Sequence, residues 1–398
     1  MMTKKLFRVF LFLCLFYFVS VVSAQNVPVK ELLQPYVDSG ELPGVVTVIA
    51  DKDKILQIDA IGYADIEAKR PMSADTIFWV ASQTKPVTAI AVMMLVEEGK
   101  LSLDEPVTKY IPELKELRVA NAVSNIVNRA GWASFDNPSF RELKGAELIL
   151  TVPNQPITLR KLLSHTAGMA FLTRFQLKHG IDSLPTERAL TTFLMTPLQY
   201  QPGTKFAYSN IGIDIAAIIV ERVSQMPFET FLEKRLFEPL EMKETSFWLI
   251  AEQTKRLAKP YKWDKETNKL IETKISLLTY PPDNRTIRFA NGGGGLCSTP
   301  KEWIRIYQML AGDGMFKGKK ILSPESVKEI RTKQTGDLPE NYGLGVFIDG
   351  NTFGHSGSHG TESKLNTKTG RITQYFIQQE NLPKANEAQN NFNKAAQP

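Results

Sequence analysis

Residues 78–90 read FWVASQTKPVTAI. Extended to Glu98, the text TKPVTAIAVMMLVEE is a nearly all-apolar helix stopped by Gly99, and a helix apolar on most sides is buried. A lysine in its first turn, Lys85, needs a polar partner, and Ser82 is placed to supply one. Three residues apart, the two side chains share a face, so the Lys85 amine can lie against the Ser82 hydroxyl. Pro86 is tolerated because its missing N–H falls in the first turn, where no intrahelical bond is made. Free backbone N–H groups at such a helix start also favour negative charge developing during an attack. A serine cap beside a chance lysine would read the same way, so other segments must decide.

Outward from this helix, Gly44–Ala50 and residues 55–64 (ILQIDAIGYA) are β-branched strands separated by the polar turn Asp51–Lys54. Helical patterns follow at Leu159–Leu163, Asn210–Val223 and Phe228–Leu236. Another covers 300–311, with Pro300 near its start and Trp303, Ile306, Tyr307 and Leu310 on one face. Arg371–Gln378 reads as a strand entered by a Lys368–Gly370 turn. The tail from Asn381 is polar, either a closing helix or disorder. Residues 118–156 carry no long period, and 127–140 read as loop. Helical tracts between early and late strands predict an α+β enzyme whose sheet is assembled from both ends of the chain, with a helical lobe at roughly 84–290.

The first 24 residues have the parts of a secretory leader: Lys4, Lys5 and Arg8, an apolar run from Val9 to Val22, then Ser23 and Ala24. That run falls short of the about 20 residues that span a bilayer. Cleavage before Gln25 is expected, giving an exported protein, periplasmic or secreted, with no membrane span. Its loss removes three bases and no acids, lowering the formal charge from +6 to +3, which does not argue for nucleic-acid binding. Only Cys297 then remains, so no internal disulfide forms and stability rests on a large core.

The stretch QPGTKFAYSNIG (201–212) places Tyr208 and Asn210 two apart. In an extended segment both face one cleft. Tyr208 as phenolate would be a general base if cations such as Lys85 lowered its pKa, and Asn210 would hold the Lys85 amine or a substrate amide. The plainer alternative is a helix start in which Asn210 caps and Tyr208 packs.

Together, Ser82–Gln83–Thr84–Lys85 and Tyr208–Ser209–Asn210 resemble the serine penicillin-recognising superfamily of class C β-lactamases, D-alanyl-D-alanine carboxypeptidases and related esterases. The likeness extends through LRKLLSHTAGM (159–169), FEPLEMKETSF (237–247) and GGGGLCSTPKEWIRIYQML (292–310), over roughly residues 30–380. It implies a β-lactamase/transpeptidase-like fold: an antiparallel sheet flanked by helices, a mainly helical lobe, and an active site between them.

The family's third element is a strand motif, K-T-G or H-x-G, which His355–Ser356–Gly357 matches best. A literal Lys368–Thr369–Gly370 occurs too late, since it leaves only one strand before the tail. The resemblance makes Ser82 the nucleophile, with Lys85, Tyr208 and His355 as its catalytic partners. It places Asn210, Ser356 and Gly357 against substrate, and the backbone N–H groups of Ser82 and Ser358 in the oxyanion hole.

His165, in SHTAG, is expected to hold a loop beneath the site. His355 and His359 lie among glycines that oppose the helical spacing a shared metal needs, so no metal or other cofactor is expected. GHSGS lacks the final glycine of a nucleophile elbow, and the glycines at 292–295 lack a P-loop lysine. They mark tight packing or a mobile cleft edge.

The motifs imply a serine hydrolase acting by an acyl-enzyme on small esters or peptides, peptidoglycan fragments included. Y-S-N with H-S-G points to the carboxypeptidase and esterase branches rather than efficient β-lactam turnover. Histidine near its usual pKa would be only a partial cation for a substrate carboxylate. A class C-type β-lactamase and a non-catalytic cell-wall-binding module are the alternatives.

Overall fold

The computed structural model describes residues 28–122, 148–275, 277–278, 287–380 and 383–397; the leader read at 1–24 and the loop read at 127–140 lie outside them. Alternation along the first strand, β1 (Gly44–Ala50), gives it two hydrophobic faces. Val46, Val48 and Ala50 join the main core, whereas Val45 and Ile49 join a second cluster on the opposite face. A strand covered on both sides belongs in the middle of a layered sheet, and β1 lies there.

The sheet contains seven strands. In chain order these are β1, β2 (Ile55–Asp65), β3 (Arg70–Pro71), β4 (Phe347–Asp349), β5 (Thr352–Gly357), β6 (Thr361–Asn366) and β7 (Ile372–Phe376). Across the sheet the order is β4-β5-β6-β7-β1-β2-β3, with every neighbour antiparallel. The late strand β7 pairs directly with the early β1, Val46 opposite Phe376 and Ala50 opposite Ile372. The sheet is therefore built from both ends of the chain, as the order of elements predicts.

Helices cover both faces. On the outer face α1 (Val29–Asp38) and α5 (Pro383–Ala395) close the second cluster, where Leu33, Ala388 and Phe392 meet Val45, Ile49 and Tyr375. On the inner face lie α2 (Thr84–Glu97), α3 (Asn210–Ser224) and α4 (Pro300–Ala311). Residues Thr84–Leu95 of α2 are buried without interruption. Each aliphatic side chain so placed contributes roughly 1.5–3 kcal/mol. That burial fixes the position of the first turn and forces Lys85 into the interior with it.

The segment at 118–156, without a readable period, contains a small antiparallel hairpin, Val119–Ala122 with Leu148–Thr151. Its strands are four residues each, too short for a sequence period to show. Beyond Leu232 the predicted helix continues only as a π-helical turn, Glu233–Phe237. No helix among the described residues is long and apolar enough to cross a membrane.

Candidate active site

Ser82 sits in a 3-10 turn, Ala81–Gln83, that leads directly into α2. Ala81 has φ +51°, a left-handed conformation that costs a non-glycine residue roughly 1–2 kcal/mol. Surrounding bonds hold it there. Val80 N–H donates to Leu296 O at 3.0 Å, Trp79 Nε1–H to Gly294 O at 2.6 Å, and Thr84 Oγ–H to Ala81 O at 2.7 Å. The end of β5 closes the other side: any Cβ at Gly357 would collide with the Val80 carbonyl oxygen and crowd Ala81. Glycine at 357 thus lets the third-motif strand lie against the turn that carries Ser82. Ser356 is exposed beside it, and Ser358 opens the turn between β5 and β6.

Lys85 is fully buried, and three acceptors surround its amine: Ser82 Oγ at 3.1 Å, Asn210 Oδ1 at 2.6 Å and Gly293 O at 2.6 Å. Burial lowers its pKa to about 7, which the Asp214 carboxylate only partly opposes. As a neutral amine, Lys85 donates to the two carbonyl oxygens and aims its lone pair at the Ser82 hydroxyl. As an ammonium it donates to all three. Asn210 therefore holds the lysine, and the cap of α3 is Ser209, whose Oγ accepts from Gly212 N–H at 3.0 Å. This division of labour resolves the alternative in which Asn210 caps.

Tyr208 lies against the same amine, with Lys85 Nζ 4.5 Å from its ring centroid. Its phenol is not acidified. Burial pushes the pKa up, and a hydrogen bond with Ser82 only partly offsets it. The phenolate, conditional on cations such as Lys85 lowering its pKa, is corrected to a phenol, because desolvation dominates.

His355 is likewise corrected. It is 3% exposed, and burial together with the Lys85 charge lowers its pKa to about 3 rather than leaving it near its usual value. A directional chain of hydrogen bonds fits neutral rings. Ser209 N–H donates to His165 Nδ1 at 3.2 Å, so the neutral His165 ring carries its proton on Nε2 and donates to Tyr342 Oη at 3.1 Å. Tyr342 then donates to His355 Nε2 at 3.0 Å, and His355 Nδ1–H donates to Ser356 O at 2.6 Å. Tyr208 Oη is 3.3 Å from the same Nε2, whose lone pair Tyr342 already occupies. The Tyr208 hydroxyl therefore stands between His355 Nε2 and Ser82, with which it hydrogen-bonds.

The structure thus brings together Ser82, Lys85, Tyr208, Asn210 and His355, with His165 buried behind them. Lys368–Thr369–Gly370 lies elsewhere, in the turn between β6 and β7, where Asn366 Oδ1 accepts from Lys368 N–H and Thr369 N–H. His359 is turned away from His355 and pairs through Nε2 with Glu380 at 2.7 Å. The 292–295 glycines pack tightly, since a Cβ at Gly292 would approach that of Ala217 to 2.7 Å. Tyr342 and Asp214 are site residues that no motif marked, and Gly293, within the glycine run, contributes the carbonyl oxygen that accepts from Lys85. The signal for Asp214 was present: a lone acid one helical turn after Asn210 in the apolar run IGIDIAAIIV.

Comparison with known proteins bears on the family and the fold. The Beta-lactamase family model matches residues 29–396. Protein Rv1367c of Mycobacterium tuberculosis is 35% identical over 325 residues, covering 80% of this chain and 75% of its own. Esterase EstB of Burkholderia gladioli is 27% identical over 327 residues, covering 76% of this chain and 73% of its own. Among solved structures, EstCE1, a hydrolase with promiscuous acyltransferase activity, matches 92% of this chain and 97% of its own. Its TM-score is 0.75 at 21% identity, so the likeness shows a shared fold.

Proposed function

We propose that this chain, which belongs to the Beta-lactamase family, is a serine hydrolase that cleaves carboxylic esters lacking a free carboxylate, through an acyl-enzyme on Ser82. One observation carries the choice of substrate: the third-motif position holds a buried neutral imidazole, His355, where the lysine of K-T-G would supply a permanent cation. Substrates that rely on a carboxylate next to the scissile bond, D-alanyl peptides and β-lactams, lose that anchor. Neutral esters do not need it.

In the first half-reaction, the neutral Lys85 amine takes the Ser82 proton as Oγ attacks the ester carbonyl. The oxyanion is received by the backbone N–H groups of Ser82 and Ser358. Tyr208, hydrogen-bonded with Ser82, donates its proton to the departing alkoxide. The phenolate left behind is stabilised by the Lys85 ammonium beside its ring and recovers a proton from it. The C–O bond to the alcohol breaks, and the acyl group stays on Ser82. Water then attacks the acyl-enzyme with the Lys85/Tyr208 pair accepting its proton, and release of the acid restores the serine. The leader at 1–24 would direct this activity outside the cytoplasm, which fractionation of a tagged full-length chain tests.

Steady-state hydrolysis by the protein and its Ser82→Ala variant is the direct test, on p-nitrophenyl acetate and butyrate, nitrocefin, and diacetyl-Lys-D-Ala-D-Ala. Ester turnover that Ser82→Ala abolishes is the expected result. Release of D-alanine would replace this reading with a carboxypeptidase, and rapid nitrocefin turnover with a β-lactamase. Silence on all four, with no fluorophosphonate labelling of Ser82, would leave a cell-wall-binding module.

A further inference from the structure

Behind Lys85 lies a fully buried carboxylate, Asp214, that no step above uses. It stands one turn after Asn210 on α3, so both side chains project from the same face toward Lys85. Asn210 reaches the amine directly, whereas Asp214 acts one peptide removed. Its Oδ1 accepts Gly293 N–H at 2.9 Å, and the Gly293 carbonyl accepts from Lys85 Nζ at 2.6 Å. Its Oδ2 accepts from Asn291 Nδ2 at 2.8 Å, and Asn291 Nδ2 also donates to Ile181 O at 3.0 Å.

Both carboxylate oxygens thus face donors, an arrangement that favours the anion against the burial that pushes the Asp214 pKa up to about 7. The loop it grips has little freedom. A Cβ at Gly293 would approach the Asn210 side chain to 3.1 Å, and Gly292 O accepts from Thr88 Oγ–H on α2 at 2.8 Å. A buried anion one peptide from a buried amine is a charge partner as well as a clamp.

We infer that Asp214 is a positioning residue for catalysis: through the Gly293 peptide it orients the Lys85 amine toward Ser82, and its charge sets how much of that amine is protonated. The consequence for catalysis rests on the reading of Lys85 as the base.

The mutual effect has a definite sign. The Asp214 anion raises the Lys85 pKa against burial, and the Lys85 ammonium lowers that of Asp214 against the same penalty. Other titratable groups around the pair come from separate elements. Tyr208 and His355 flank the amine, and both His355 and His165 feel its charge. The buried Asp182–Arg288 ion pair lies beyond Ile181, with Arg288 Nε–H donating to Asp182 at 2.6 Å. Asp214 takes its hydrogen bonds from Gly293, Asn291 and Gln176, none of them charged, so neutralising Asp214 removes a charge that these donors do not replace.

The experiment is Asp214→Asn in the whole chain, with two readouts. Titration of Lys85 by NMR with ¹³Cε-lysine labelling, the signal assigned by Lys85→Arg, follows the amine itself. The pH profile of kcat/KM on p-nitrophenyl butyrate follows its use. Loss of the anion is expected to lower the Lys85 midpoint by about one unit or more and to move the acid limb of the profile down equally. Asn291→Ala, which removes one donor but keeps the carboxylate, is expected to move both the same way by less, and it decides the matter if Asp214→Asn does not fold. A Lys85 midpoint unchanged in a folded variant overturns the inference. If the midpoint falls while the acid limb stays, Asp214 sets the amine as inferred and the base role of Lys85 is what fails.

Discussion

Replacing Asn210 by aspartate tests the base directly, because it changes one atom type in contact with the Lys85 amine and little else. The Asn210 Oδ1 to Lys85 Nζ distance is 2.6 Å, and both residues are buried. Spread over both carboxylate oxygens at about 4 Å mean separation, a unit negative charge there attracts the ammonium by about 4 kcal/mol at an effective dielectric constant of about 20. At 1.36 kcal/mol per unit this is about three pKa units, and the cost of burying the new carboxylate takes back about one. The Lys85 pKa, about 7 in the native protein, should then lie near ~9.

The base is active as the free amine, so its rate limb rises with pH through the pKa and the substitution must move that limb upward. At pH 7 the amine fraction falls from about a half to about one in a hundred, which predicts a roughly 50-fold loss of kcat/KM. At pH 10 both proteins are mostly amine and their rates should converge within about threefold. The assay is p-nitrophenyl butyrate hydrolysis between pH 6 and 10 with the uncatalysed rate subtracted, repeated as the second-order rate of fluorophosphonate labelling. A loss equal at pH 7 and pH 10 would show mere damage to the site. A profile that does not move would mean that Lys85 is not the base.

Three further outcomes follow from single contacts. Tyr342→Phe leaves the His165 Nε2–H without its acceptor and His355 Nε2 with only the longer Tyr208 contact at 3.3 Å, so stability should fall by about 1–3 kcal/mol in urea unfolding. If stability is unchanged, the hydrogen-bond chain is not as described. His355→Lys restores a cation at the third motif and should raise the ratio of nitrocefin to p-nitrophenyl butyrate turnover by about tenfold, about 1.4 kcal/mol of charge attraction; an unchanged ratio would sink the explanation of substrate choice. Gly357→Ala puts a methyl group into the Val80 carbonyl and should cost about 1–3 kcal/mol while slowing Ser82 labelling. Wild-type labelling would show that the strand does not support the nucleophile turn.

The groups assigned to bond making were legible because their side-chain types carry their chemistry: a serine three before a lysine, a tyrosine two before an asparagine, a histidine followed by a serine and a glycine. The sheet was legible for a similar reason, since β1 and β2 are β-branched runs on either side of a polar turn and α2 is uniformly apolar. Protonation states were not. Neither a Tyr208 pKa lowered by cations nor a His355 near its usual value allows for burial. Desolvation is the larger effect at both residues, and it belongs to the volume around them, which side chains distant in the chain such as Phe171, Tyr342 and Phe347 help to fill.

The same distinction explains why Tyr342 and Asp214 escaped notice: neither belongs to a motif, and their partners are far away in the chain. Asp214 nevertheless broke a local rule. An ionisable side chain amid isoleucines and alanines on a fully buried helix face is costly unless it is paired, so its presence already required a counter-charge or a set of donors nearby. Lys85 posed the same problem on another apolar helix. Two buried charges of opposite sign on two helices of one core satisfy each other most cheaply when those helices pack together. Pairing the unexplained acid with the unexplained base would have placed α3 against α2 before any coordinates were known, and with it Asn210 against Lys85.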